Sequence, residues 1–276
     1  MAALTRTITA WDGLELRVHD WDGGTGTPLL CLPGLVRTGL DFADFAQTQT
    51  HRRVVSLDYP GRGASGRARN IARYAPEQCL RDVLDVCAAL HLHRAVVVGT
   101  SFGGLLAMGI AVMRPALLAG VVMNDIGPEV GAAGGAFLRG FVAEDPALPN
   151  LAASAAHLRA KLPYLSLATD AEWTRFAALT YAEGPDGCWH PHWDTRIERL
   201  LTPPIRDLWP LFGALGQTKL LLVRGMHSNI LLTPTVARMQ ALHPGMIVAE
   251  VPGVGHAPTL AEPPAARAIA SFLERL

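Results

Sequence analysis

The chain carries little charge and no excess of either sign. Only 17% of its 276 residues are Asp, Glu, Lys or Arg, and 24 basic side chains balance 24 acidic ones. No run of lysine and arginine occurs, so the electrostatic footprint of a nucleic-acid binder is missing. No stretch of about 18 uninterrupted apolar residues appears, so no transmembrane helix is expected. The leading residues Met1-Ala2-Ala3-Leu4-Thr5-Arg6-Thr7 lack the apolar core of a signal peptide. Cysteine is scarce, and Cys31, Cys79, Cys87 and Cys188 show no motif spacing. Buried reduced thiols are the expectation, which points to the cytoplasm. No internal repeat is visible. What the chain does have is apolar residues, 50% of the total. That is enough for a large core, and the length suits an α/β fold.

Coarse patterning places the elements. Trp11-Asp12-Gly13 separates two short strand patterns and reads as a hairpin turn. Pro76 to Leu90 reads as a helix, with Leu80, Val83, Leu84 and Cys87 at helical spacing on one face. Strands and helices alternate through Ile126, as expected for a parallel sheet covered on both faces. From about Gly127 to Leu215 the alternation stops. Gly131-Ala132-Ala133-Gly134-Gly135 reads as a possible hinge, and the residues beyond it are alanine-rich and helix-like without strand patterns.

The most informative segment is Gly99-Thr100-Ser101-Phe102-Gly103. The run Ala95-Val96-Val97-Val98 before it suits a buried parallel strand, and Gly104 to Ala111 after it suits a buried helix. A serine between strand and helix, with glycine two residues to either side, is the pattern of a nucleophile elbow. The turn is tight, and the helix start behind it favours developing negative charge.

With this elbow as anchor, the chain resembles the α/β-hydrolase superfamily along nearly its whole length. The resemblance rests on segments in the order that fold requires. Leu29 to Leu35 is an apolar strand ending at Pro33-Gly34, where many relatives carry His-Gly. The resemblance implies an oxyanion hole made of the backbone N–H groups of Leu35 and Phe102. Asp58 to Ser65 resembles the family's Asp-x-x-Gly-x-Gly-x-Ser loop. The same stretch contains Gly-x-Gly-x-x-Gly at Gly61, Gly63 and Gly66. A dinucleotide site needs a helix opening within those glycines, and no apolar helical stripe appears until after Pro76, so none is expected. His256, in Gly255-His256-Ala257-Pro258 after the strand pattern ending at Ala249, occupies the position of the family's catalytic base.

The acid departs from the pattern. The loop after Lys219 to Gly225 is where relatives place it, and this chain has Asn229 there. Asparagine can orient the imidazole but cannot stabilise imidazolium by charge. In a serine protease that exchange costs about 10⁴ in kcat. Some relatives carry the acid at an earlier strand end, with which Asp125 aligns. Three readings stand: Asp125 acts, Asn229 acts as an uncharged orienter, or the acid is lost and the protein binds without turnover.

The fold expected is therefore a doubly wound, mostly parallel α/β-hydrolase sheet, residues 1–127 and 216–276, with a helical lid inserted at residues 128–215. Phe137, Phe141, Trp173 and Trp193 are the expected pocket aromatics of that lid. His190-Pro191-His192-Trp193-Asp194 resembles a metallohydrolase motif, but the usual further histidine is Thr195, so no metal is expected. The implied reaction is hydrolysis of a small apolar carboxylic ester or lactone through an acyl-serine, without cofactor. Ser101 excludes the nucleophilic aspartate of epoxide hydrolases and dehalogenases. Ala257 lowers the carbon–carbon hydrolase reading, because those relatives often place tryptophan after the histidine.

Overall fold

The computed structural model describes residues 3–201 and 207–276. Residues 202–206 of the expected lid, and residues 1–2 of the expected core, lie outside that range. The hairpin expected at Trp11-Asp12-Gly13 joins β1 (Leu4–Thr9) to β2 (Glu15–Trp21), an antiparallel pair. Gly13 supplies a positive φ of 87° for the turn. The other sheet strands are β3 (Gly26–Leu32), β4 (Arg52–Leu57), β5 (Ala95–Thr100), β6 (Leu118–Asn124), β9 (Leu220–Gly225) and β10 (Ile247–Val251). They form one eight-stranded sheet in the order β1-β2-β4-β3-β5-β6-β9-β10. From β4 to β10 every pairing is parallel. β5 lies in the interior of the sheet, and its C-terminal end is where the strand order has reversed, the place at which open α/β sheets bind ligands.

Both faces of the sheet are buried, and the alternation along each strand shows how. Leu30, Leu32, Val97, Val121 and Leu222 belong to one apolar cluster, together with Val83 and Leu106. Leu29, Cys31, Val96, Val98, Val122 and Val223 belong to the other, with Phe45, Ile269 and Phe272. The first face is covered by α2 (Pro76–Ala89) and α3 (Phe102–Met113), the second by α1 (Ala43–Thr48) and α9 (Pro263–Glu274). This is why the strands read as continuous apolar runs. On α2 the fully buried positions are Cys79, Asp82, Val83, Val86 and Cys87, while Leu80 and Leu84 are only partly buried. Asp82 is tolerated inside because Arg73 binds it with two hydrogen bonds of 2.7 Å. Cys31, Cys79, Cys87 and Cys188 are unpaired. Burial pushes the thiols of Cys79 and Cys87 up to about 11 and about 12, and that of Cys31 higher still, so none of these three is a ready nucleophile, while Cys188 is only partly buried, which corrects its expected burial.

Between β6 and β9 lies an insertion built from α4 (Ala132–Ala143), α5 (Leu151–Lys161), α6 (Asp170–Ala178), a 3₁₀ segment at Thr195–Leu201 and α7 (Trp209–Gly213). It also contains a short antiparallel hairpin, β7 (Tyr181–Glu183) and β8 (Trp189–Pro191), which corrects the expectation of no strands there. The segment 131–135, expected as a possible hinge, runs from the N-cap Gly131 into the first turn of α4, where a Cβ at Gly134 would lie 2.4 Å from the Asn229 carbonyl oxygen. The remaining helix, α8 (Thr233–Leu242), connects β9 to β10. No helix among the described residues is long and apolar enough to cross a membrane.

Candidate active site

β5 ends at Thr100, α3 begins at Phe102, and Ser101 is the single residue between them. Its backbone is strained, with φ 52° and ψ −115°. The flanking glycines are sterically required. A Cβ on Gly99 would lie 2.5 Å from the Gly103 carbonyl, and one on Gly103 would lie 2.0 Å from the Leu32 carbonyl oxygen. The helix start thus packs directly on the strand ends, and Ser101 is pushed out of the backbone line toward the cavity that it borders.

His256 comes from the loop between β10 and α9. Its Nε2 is 2.9 Å from Ser101 Oγ, and its Nδ1 is 2.8 Å from Asp125 Oδ2. A carboxylate can only accept, so Nδ1 carries the proton and Nε2 is left to accept from the serine hydroxyl. Asp125 is fully buried just beyond β6, with φ 56°. Its second oxygen accepts the Gly225 N–H at 2.9 Å, so both oxygens are satisfied. Of the two candidate acids, Asp125 is the one brought to His256. Asn229 is exposed on the loop after β9 and borders the same cavity. Among the described residues, no hydrogen bond joins its side chain to the imidazole.

The loop after β3 carries Leu35. Tyr59 donates its hydroxyl to the Pro33 carbonyl at 3.2 Å, and Arg62 Nε donates to the Leu35 carbonyl at 2.8 Å. Asp58 accepts the Gly39 N–H at 2.8 Å. Phe102 is the first residue of α3, so its N–H has no intrahelical acceptor. Leu35 and Ser101 border a cavity of about 1030 Å³. Phe137 and Phe141 line it, stacked 6.1 Å apart. Trp173 and Trp193 do not, which corrects their expected place. Both are buried, with Trp173 Nε1 donating to the Leu167 carbonyl and Trp193 Nε1 to the Val142 carbonyl. They form the insertion's own core, with Trp193 stacked behind Phe141 at 5.6 Å.

Phe176, another aromatic of the expected lid, also lines the cavity, with the Arg37 guanidinium 4.1 Å above its ring, and so does Tyr164, stacked on His227 at 4.7 Å, which carried no recognisable sequence signal. Charges at the rim are paired, Arg37 with Asp41 at 2.6 Å and Lys161 with Glu144 at 2.7 Å.

The two rejected motifs have other work. Gly61 accepts the Asp194 N–H at 2.8 Å and Gly63 donates to the His192 carbonyl at 3.0 Å, so the glycine loop seats the insertion. The side chains of His190-Pro191-His192-Trp193-Asp194 diverge. His190 sits between Asp145 and Asp186, His192 meets the Leu179 carbonyl, and Asp194 binds Arg196 and Tyr74. Among the described residues no group of three or more His, Cys, Asp or Glu could hold a metal ion.

Comparison with known proteins agrees with this fold. Residues 29–269 match the alpha/beta hydrolase family. A 3-hydroxybutyrate-oligomer hydrolase of Cupriavidus necator is 31% identical over 262 residues, covering 90% of this chain and 89% of that protein. The crystal structure of an alpha/beta hydrolase from Novosphingobium aromaticivorans superposes with a TM-score of 0.93 at 36% identity, covering 100% of both chains. E-2-(acetamidomethylene)succinate hydrolase superposes with a TM-score of 0.84 over 99% of both chains, and at 22% identity it speaks for the fold alone.

Proposed function

The chain belongs to the alpha/beta hydrolase family, and from that premise we propose that it hydrolyses carboxylic esters through an acyl-serine intermediate. The observation that carries this reading is the unbroken hydrogen-bonded chain from Ser101 through His256 to Asp125, with the serine on the wall of a large apolar cavity. In the proposed reaction Ser101 Oγ attacks the ester carbonyl carbon while His256 Nε2 takes its proton. Negative charge gathers on the carbonyl oxygen, where the N–H groups of Leu35 and Phe102 receive it. One such donor is typically worth 10²–10³ in kcat. The imidazolium formed at His256 faces the buried Asp125 carboxylate, which stabilises it. The proton passes to the leaving alkoxide, an alcohol departs, and water activated by the same imidazole releases the acid and restores Ser101.

The substrates proposed are esters with compact, apolar, uncharged acyl groups. The similarity to the 3-hydroxybutyrate-oligomer hydrolase supports short aliphatic oligoesters as candidates. Asp125 supplies the charge that Asn229 lacks, which favours turnover over binding alone. The test is Ser101→Ala assayed on a chromogenic ester and on 3-hydroxybutyrate oligomers, with phosphonate labelling of the unmodified protein. Labelling at Ser101 and a fall in kcat of about 10³ or more in the variant are expected. Retention of more than about a tenth of kcat would remove Ser101 as nucleophile.

A further inference from the structure

We propose that Asn124 is a positioning residue for this site, its amide stapling together the three loops that carry Ser101, Asp125 and His256. The proposal rests on the catalytic reading above. Asn124 is the last residue of β6 and 1% exposed. Its Nδ2 donates to Thr100 Oγ1 at 3.1 Å and to the Pro258 carbonyl at 2.8 Å. Thr100 immediately precedes Ser101, Asn124 immediately precedes Asp125, and Pro258 lies two residues after His256. A second hydrogen-bonded chain therefore runs beside the first, one residue removed from the serine and the aspartate and two from the histidine. The main chain reinforces it, since the Asn124 carbonyl accepts the Ser101 N–H at 2.9 Å and β5 pairs Thr100 with Asn124 in register.

The chemistry of the partners fixes the direction of the amide. The Pro258 carbonyl can only accept, so the nitrogen must face it. The cost is visible on the other side: Asn124 Oδ1 is buried without a partner. A leucine of similar size would remove that orphan oxygen but would leave the buried Pro258 carbonyl without its donor, so the amide is kept for the loop it holds. What asparagine adds is a donor to the histidine loop. That loop needs one. His256 belongs to a connection between β10 and α9, and its Nε2 must remain within hydrogen-bond reach of a serine held rigidly at the elbow. A displacement of about 1 Å can cost about 10²-fold in rate.

The experiment compares Asn124→Leu and Asn124→Asp with the unmodified protein. Leucine removes both hydrogen bonds. Aspartate keeps the shape, and ionised it can still accept from Thr100 but cannot donate to Pro258. Three quantities are measured: thermal unfolding, kcat and KM on an ester, and the downfield proton resonance of His256 Nδ1–H. Both variants should lose about 10- to 100-fold in kcat with KM within about twofold, and the resonance should shift or broaden. A merely structural residue would lower activity only in step with the folded fraction and leave the resonance of the folded protein in place. Either variant folded with wild-type kcat and an unmoved resonance overturns the proposal. If leucine prevents folding, the isosteric aspartate decides alone. The resonance reads His256 geometry whether or not esters are turned over, so failure of the staple and failure of the esterase reading are separable.

Discussion

At the scale of single residues, the site turns on where one negative charge sits. Asp125 and Asn229 both follow strand ends that point at His256, and only the folded chain separates them. Asp125 lies on Nδ1, with its other oxygen held by Gly225 N–H. Asp125→Asn should lower kcat by about 10²–10⁴ with little change in KM, because the charge matters mainly once imidazolium forms. Asn229→Asp should change kcat by less than about threefold, since that side chain is exposed and unattached to the ring. Steady-state kinetics on both variants, with unfolding as a control, decide the matter. A strong gain in the second and none lost in the first would return the role to position 229. Ser101 and His256 were legible in the sequence because each follows a recognisable strand pattern, whereas the acid was legible only as an open choice in which Asp125 and Asn229 were the candidates. Asn124 was not legible, because its partner is a backbone carbonyl 134 residues away, and nothing in Pro258 announces that role.

Elements explain which expectations survived. The elbow was readable because its sterics demand glycine at fixed offsets. The same sterics predict that Gly103→Ala, which sets a Cβ 2.0 Å from the Leu32 carbonyl oxygen, costs on the order of 3 kcal/mol or more, seen as a fall in Tm. The β7–β8 hairpin was unreadable because three-residue strands are too short to show a period. The tryptophans of the insertion were assigned to the pocket because sequence does not say which side of a helical layer faces the sheet. Trp193→Ala should accordingly cost about 3–5 kcal/mol, roughly 10 °C in Tm, before it alters substrate affinity.

The hairpin also sets two histidines against each other. Burial holds His192 below its ordinary pKa, so the folded state favours its neutral form, and its contribution is present at neutral pH and lost as pH falls below the unfolded value near 6.5. Hydrogen bonds that its ring donates to Asp145 first, then Asp186, raise His190. Its contribution is present below the unfolded value and lost as pH rises through the folded one. The difference in Tm between about pH 5 and pH 8 should therefore narrow in His192→Gln and widen, with greater loss at acid pH, in His190→Gln. Equal differences in both variants and the parent would discard the assignment.

For the whole molecule, the sheet is buried on both faces, and the insertion rests on the core at contacts that include the glycine loop at Gly61 and Gly63 and the His256 loop, where Gly255 N–H donates to the Tyr164 carbonyl at 2.9 Å. The cavity lies where these two parts meet, which is why its lining draws on distant segments and could not be assembled from sequence alone. Its volume of about 1030 Å³ is at the upper end for small-molecule sites, and its rim charges are already paired with one another. Uncharged apolar acyl chains should therefore gain kcat/KM as they lengthen, until they fill the space between Ser101 and the Phe137–Phe141 stack. Anionic acyl groups of equal size should be poorer, because among the described residues the lining cations Arg37, Lys161 and Arg175 are each already held by a carboxylate, and a buried carboxylate must shed its water. Phe137 is 41% exposed, so Phe137→Ala should cost little stability yet raise KM several-fold for the longer chains and leave the shortest unchanged. A panel of p-nitrophenyl esters of graded length, with succinyl esters as the anionic arm, measures all three effects. If the succinyl esters show the highest kcat/KM, the rim ion pairs open to receive the substrate, and the apolar reading of the cavity fails.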